Sequence, residues 1–130
     1  MSIRVVRLGS PRGDGEGLRL GTVRRLPRGV RKADYARRNF FDLWLPELAP
    51  SAPLFTYAKS APWSEARWRK YSRAYEREMS RPMPQHLLAL LARLSRQADF
   101  SVGCYCEDAS HCHRSLLRKL LAAHGAKIAR

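Results

Sequence analysis

The run G-C-Y-C-E-D-A-S-H-C-H-R-S-L-L-R, Gly103 to Arg118, constrains the fold of this chain more than any other segment. An apolar stretch, Phe100 to Cys106, reads as a strand. It passes through a short polar loop into a pattern in which Leu116, Leu117, Leu120 and Leu121 recur at helical spacing. A strand feeding a helix is the repeating unit of α/β layers, and ligand sites in such folds lie where strand ends and helix N-termini converge. All three cysteines and two of the four histidines fall within positions 104–113. The segment marks a site without naming a reaction.

The rest of the chain fits the same architecture. Ile3 to Leu8 alternates aliphatic and arginine residues, as a strand does. Gly9 to Gly17 follows, with Pro11 and the run G-D-G-E-G. It lacks the G-x-x-x-x-G-K-S/T pattern of a phosphate cradle and precedes a second strand, Leu18 to Val23, so it reads as a mobile connection. Phe40 to Leu48 reads as a short apolar element ending in a turn at Ala49-Pro50-Ser51. Ser64 is placed to cap a helix whose buried stripe is Trp68, Tyr71, Tyr75 and Met79, with Arg67, Lys70, Arg73 and Arg77 facing water. Pro82 and Pro84 open another helix, with Leu87, Leu90, Leu91 and Leu94 as its buried face and His86 on its surface. Ser110 opens the last helix, along which Arg114, Arg118 and Lys119 face water. Gly125 caps its C-terminus, and His124 suits the negative end of its dipole. These elements predict a single domain over residues 1–130, a small three-layer-like α/β fold with a mostly parallel sheet and flanking helices.

The 130 residues suffice to bury a core without disulfide or metal staples, and 45% of them are hydrophobic. No stretch reaches the ~20 apolar residues of a membrane span, and the N-terminus has no signal-peptide core, so a cytoplasmic location with no membrane partner is expected. In a reducing compartment the cysteines are free thiols, ligands or a catalytic pair. The formal charge of +14 favours nucleic acid or phosphorylated partners. Twenty of the 25 basic residues are arginine, however, a skew that a GC-rich genome also produces. The basic run Arg24 to Lys32 is broken by Pro27 and Gly29, so its guanidinium groups ride on a loop. It is a candidate clamp for phosphate or carboxylate, against the plainer alternative of a solvated basic loop.

Strand geometry places Cys104 and Cys106 on one face, and the helical pattern puts Cys112 in the first turn of the last helix, where unpaired N–H groups favour a thiolate. Cys112 or Cys106 is then a candidate nucleophile, with His111 or His113 as base. H-C-x5-R, His111-Cys112 to Arg118, matches the outline of a cysteine phosphatase loop. It lacks the glycines that let amides wrap a phosphate, and Arg118 points down the helix, so that reading is rejected. A zinc site is disfavoured, because C-x-C-x5-C-H is not a standard finger spacing and strand residues do not easily converge with Cys112. No metal and no cofactor are therefore expected. A Cys106–Cys112 redox pair and plain apolar burial remain open, with Cys104 assigned to the core.

Three separated motifs occur in order: T-V-R-R-L-P-R-G-V-R-K, W-L-P-E-L-A-P-S and C-Y-C-E-D-A-S-H-C-H-R-S-L-L. With them the chain resembles the bacterial domain-of-unknown-function 488 (DUF488) family from about Val5 to Gly125. The resemblance implies a compact α/β domain and names no reaction. Some members look like D-R-x-W-P-R-G where this chain has Val23 to Gly29, so no role of that acid passes to Val23. Many lack the C-H-R cluster, which puts this chain in the cysteine-bearing branch. Arg24, Arg28, Cys106, Glu107, Cys112, His113 and Arg114 match the family's motif positions.

The expected site faces the arginine loop toward the Cys106–Arg114 corner. Arg24, Arg28 and Arg114 bind an anionic, phosphate-bearing molecule, Cys112 or Cys106 is the nucleophile, and Glu107 and His113 move protons. The competing reading is a nucleic-acid-binding module with structural cysteines.

Overall fold

The computed structural model describes residues 1–129. Four strands, β1 (Ile3–Arg7), β2 (Leu18–Gly21), β3 (Leu43–Trp44) and β4 (Phe100–Cys104), form one sheet in the order β1-β4-β2-β3. Every pairing is parallel. Four helices flank it: α1 (Ala52–Lys59), α2 (Glu65–Met79), α3 (Pro82–Leu94) and α4 (His113–Ala123). This is the small α/β domain that the pattern of strands and helices predicts.

β4 runs between β1 and β2 and is buried along its whole length. Its Gly103 is required by that position. A Cβ there would sit 2.6 Å from the Val6 carbonyl oxygen and 2.8 Å from a Leu8 methyl. One face of the sheet, bearing Ile3, Leu20, Phe100 and Val102, packs on Tyr71, Tyr75 and Met79 of α2, Leu88 and Leu91 of α3, and Leu116, Leu117 and Leu121 of α4. Each such fully buried side chain contributes about 1.5–3 kcal/mol by leaving water.

Local signals place the helix ends well. Ser64 accepts the Arg67 N–H at 3.2 Å at the start of α2. At the end of α4, Gly125 has φ +87° and the Ala126 N–H reaches the Leu121 carbonyl, a left-handed cap that suits glycine. Other expectations need correction. The strands end at Arg7, Gly21 and Cys104, short of Leu8, Val23 and Cys106. In α3 the buried residues are Pro84, Leu88, Leu91 and Ala92, whereas Leu90 and Leu94 are exposed. With leucines at five of its thirteen positions, that helix offers several stripes, and only its neighbours select one. The last helix opens at His113, three residues after Ser110, following a single 3-10 turn at Ala109–His111.

On the other face of the sheet, Arg19 and Ser101 are both fully buried. Arg19 donates to the Glu16 carboxylate from Nε (2.8 Å) and Nη2 (3.0 Å), and from Nη1 to the carbonyls of Ser10 and Asn39. The Ser101 hydroxyl donates to Glu16 at 2.8 Å. Burial alone would raise the Glu16 carboxyl, but the Arg19, Ser101 and Gly13 donors outweigh it and hold it at about 2. The glycine-rich loop is therefore tied down by its own Glu16 and is not a loose connection.

Candidate functional site

β1, β2 and β4 all end on the same side of the sheet, and there the chain leaves a cavity of about 430 Å³. That volume lies within the usual range of small-molecule pockets. Three segments build its sulfur-bearing wall. β4 delivers Cys104, the extended residues beyond it deliver Tyr105, Cys106 and Glu107, and the start of α4 delivers Cys112 and His113.

The thiols converge. The sulfurs of Cys104, Cys106 and Cys112 all lie within 4.8 Å of one another, and the Cys104 thiol approaches Cys106 Sγ at 3.5 Å. This corrects the expectation that strand residues do not easily converge with Cys112. The Asp108–His111 turn is held by the Asp108 carboxylate, which accepts from the Ser110 backbone N–H and hydroxyl and contacts His111 Nδ1 at 2.9 Å. That turn returns the chain so that Cys112 sits at the N-cap of α4, one position before the helix.

The three thiols differ in surroundings. Cys104 and Cys112 are buried and Cys106 is half-buried. Donation from the Cys104 and Cys112 thiols favours the Cys106 thiolate against burial, assisted by the Lys59 charge. The same contact with Cys106, and burial, push Cys104 strongly up. Cys112 is pulled down by Cys104 but pushed further up by Cys106 and burial, and ends raised. The negative charge of the cluster therefore belongs on Cys106.

His113 is buried against the Tyr75 ring. Its Nε2 lies 2.6 Å from the Thr22 carbonyl, which only accepts, so Nε2 carries the proton and Nδ1 presents a lone pair. Nδ1 is 3.9 Å from Cys112 Sγ. Burial lowers the His113 pKa and keeps the ring neutral, so Nδ1 can serve as a hydrogen-bond acceptor toward the cluster. Arg114, expected to face water, is buried. It sits in the first turn of α4, where side chains lean back toward the preceding loop, and its Nη2 donates to the Cys106 carbonyl at 2.6 Å. Its Nε is buried with no partner among the described residues.

The arginine loop meets this corner only at its start. Arg24 and Arg25 line the cavity, whereas Arg28 is exposed and is not part of the wall. Arg24 is already engaged: Nε donates to the Pro50 carbonyl at 2.8 Å and Nη2 to the Pro46 carbonyl at 3.0 Å, fixing the turn before α1. Arg25 lies 5.0 Å over the Phe55 ring. Glu107 is at the exposed rim, paired with Arg7 at 3.3 Å.

Several wall residues were not visible as such in the sequence. Arg7, at the end of β1, and Lys59, at the end of α1, bring further positive charge to the cavity, and Phe55, Trp63 and Tyr71 give it an aromatic side. His111 stacks on Trp63 with ring centres 5.8 Å apart. Position at a strand or helix end is the only sequence signal Arg7 and Lys59 carry. The Trp68–Tyr71 stripe signals a buried face but not that its upper end borders a cavity.

Searches of curated proteins and of solved structures returned no match. Among the described residues, no helix is long and apolar enough to cross a membrane. The profile described as the active DUF488-N3 subclade, DUF488-N3a, matches residues 3–125, which takes in the whole sheet, all four helices and every thiol of the corner. The chain belongs to the DUF488 family, in that subclade.

Proposed function

We propose that this protein is a thiol-dependent enzyme acting on an anionic, phosphate-bearing small molecule, with Cys106 as the nucleophile. One observation carries the reading: Cys106 is the half-buried thiol of the cluster, in the wall of a cavity that Arg7, Arg25 and Lys59 also line. Its neighbours supply what a nucleophilic thiol needs. Cys104 and Cys112 donate toward it, and the neutral His113 ring offers Nδ1 as an acceptor 3.9 Å from Cys112 Sγ. In this scheme Glu107 steers Arg7, Arg24 shapes the wall through its carbonyl contacts, and Arg114 fixes the Cys106 backbone. The anion then meets Arg7, Arg25 and Lys59, where the sequence alone pointed to Arg24, Arg28 and Arg114.

Competitive labelling tests this. With the reduced protein at neutral pH, iodoacetamide is expected to modify Cys106 well before Cys104 or Cys112, read by peptide mass spectrometry, and inorganic phosphate is expected to slow that modification. Equal labelling of all three thiols, or a Cys106 rate indifferent to phosphate, would overturn the assignment.

One feature favours nucleic-acid binding as a second reading. Arg69, Lys70, Arg73 and Arg77 line a shallow groove along α2, remote in sequence from the thiols. Binding through that face predicts affinity for a DNA or RNA oligomer that falls steeply with salt and weakens on Arg73→Ala, with Cys106 labelling unchanged. Absence of salt-dependent binding excludes it.

A further inference from the structure

We infer that Cys104, Cys106 and Cys112 form a binding site for one thiophilic closed-shell cation, of which zinc is the natural probe. The inference is independent of the thiol-enzyme reading and extends beyond it.

The spacing suits such an ion. At a zinc–sulfur distance of about 2.3 Å, three thiolates on one centre stand about 3.8–4.0 Å apart, whether the centre is tetrahedral or trigonal. Here the three sulfurs already lie within 4.8 Å of one another, with the Cys104–Cys106 pair at 3.5 Å. Adjustments of a fraction of an ångström in side-chain torsions would bring all three onto one ion. The fold has therefore already assembled the ligands, and binding need not order the chain.

The donor set selects the class of cation. The group contains three sulfurs, with no carboxylate among its donors. Soft thiolates favour zinc and its thiophilic relatives over magnesium or calcium, which require oxygen. His113 stands outside the group: its Nδ1 is 3.9 Å from Cys112 Sγ, and its other nitrogen is held by the Thr22 carbonyl. Three protein ligands leave a fourth position. Cys104 and Cys112 are buried while Cys106 is half-buried, so that position faces the cavity.

The surroundings also fit the charge. A divalent ion on three thiolates carries a net charge of −1, and Arg7, Arg24, Arg25 and Lys59 line the same cavity. The support is rigid. Cys104 ends the central strand, the Arg114 guanidinium holds the Cys106 carbonyl at 2.6 Å, and Cys112 is fixed as the N-cap of α4. Such outer contacts orient ligands and typically change affinity 10–100-fold when removed. Since the ion and an electrophile would compete for Cys106 Sγ, occupancy of the site also silences that thiol.

Anaerobic titration of the reduced, metal-free protein provides the test. Cobalt(II) is expected to produce a sulfur-to-metal charge-transfer band saturating at one equivalent, and zinc is expected to displace it. Cys112→Ser and Cys104→Ser should each weaken binding at least tenfold. Because those positions are buried and the variants risk misfolding, Cys106→Ser at the half-buried position and thiol protection in the unmodified protein give independent readings. One equivalent of zinc should shield all three cysteines together from iodoacetamide. No charge-transfer band, together with no protection by stoichiometric zinc, sinks the metal site. If Cys106 still labels fastest in that case, the thiol-enzyme reading stands alone. Zinc capture with slow, uniform labelling of the metal-free protein leaves the metal site and removes the nucleophile.

Discussion

Two buried polar clusters sit on the central strands of this sheet, and they are built to opposite rules. On one face Glu16, Arg19 and Ser101 form a closed network: the guanidinium reaches the carboxylate and two carbonyls, and the carboxylate also accepts from Ser101 and Gly13. At the C-terminal ends of the strands, Cys104, Cys106, Cys112, His113 and Arg114 form an open one. Its Arg114 Nε lacks a partner among the described residues, His113 Nδ1 faces only the Cys112 sulfur at 3.9 Å, and Cys106 borders a cavity. Buried polar groups that are fully paired hold a fold in register, whereas groups left with unused capacity call for a separate explanation. Charge content alone does not separate the two clusters. Completeness of pairing does.

The comparison is broken most severely from the closed side. Arg19→Met should cost about 3–5 kcal/mol in chemical denaturation, because it strands the buried Glu16 carboxylate. If the loss is below about 1 kcal/mol, the network is not the anchor described here. Acid supplies the second test. Glu16 is held at about 2 against an ordinary 4.5, so its stabilisation is complete above 4.5 and is lost as pH falls from there toward 2. Thermal denaturation across that interval should show a loss that Glu16→Gln abolishes. An unchanged pH profile in the variant would assign the acid sensitivity elsewhere.

The open cluster should respond more weakly in stability and more strongly in reactivity. Arg114→Met removes the bond to the Cys106 carbonyl and should cost about 1–3 kcal/mol, with Cys106 labelling altered as its loop loosens. A stability loss with unaltered labelling would make Arg114 purely structural. Smallest of all, Cys106→Ser should leave the unfolding free energy within about 0.5 kcal/mol of wild type while eliminating the fast-labelling thiol. A large destabilisation by that substitution would move Cys106 from the site into the core.

Much of this was legible before folding. Local periodicity suffices for β1, β4, α2 and α4, because burying an amphipathic face demands a stripe whatever the partner is. Ser64 and Gly125 are read correctly because capping satisfies nearby backbone groups. Where the sequence offers several equivalent stripes, as the leucines of α3 do, the choice belongs to the neighbours, and Leu88 displaces Leu90 and Leu94 from the core. Ser110 is a good cap by type, yet the helix is capped two residues later at Cys112, because the Asp108 side chain holds Ser110 in a preceding turn.

The cysteine–histidine corner was thus located by sequence, and the family by three ordered motifs. Its composition as a site was decided in three dimensions. Arg24 looked like a ligand-binding cation and is committed to the Pro46 and Pro50 carbonyls, while Arg7 and Lys59 reach the cavity only because β1 and α1 end beside it. Glu16 and Arg19 are three residues apart, but their network is completed by Ser101, 85 positions beyond Glu16. The convergence of three sulfurs likewise depends on the turn that brings Cys112 back beneath the strand end. Sequence records which groups a chain carries and the local periods they follow. Which of them are left unpaired in a cavity is set by distances between elements far apart along the chain.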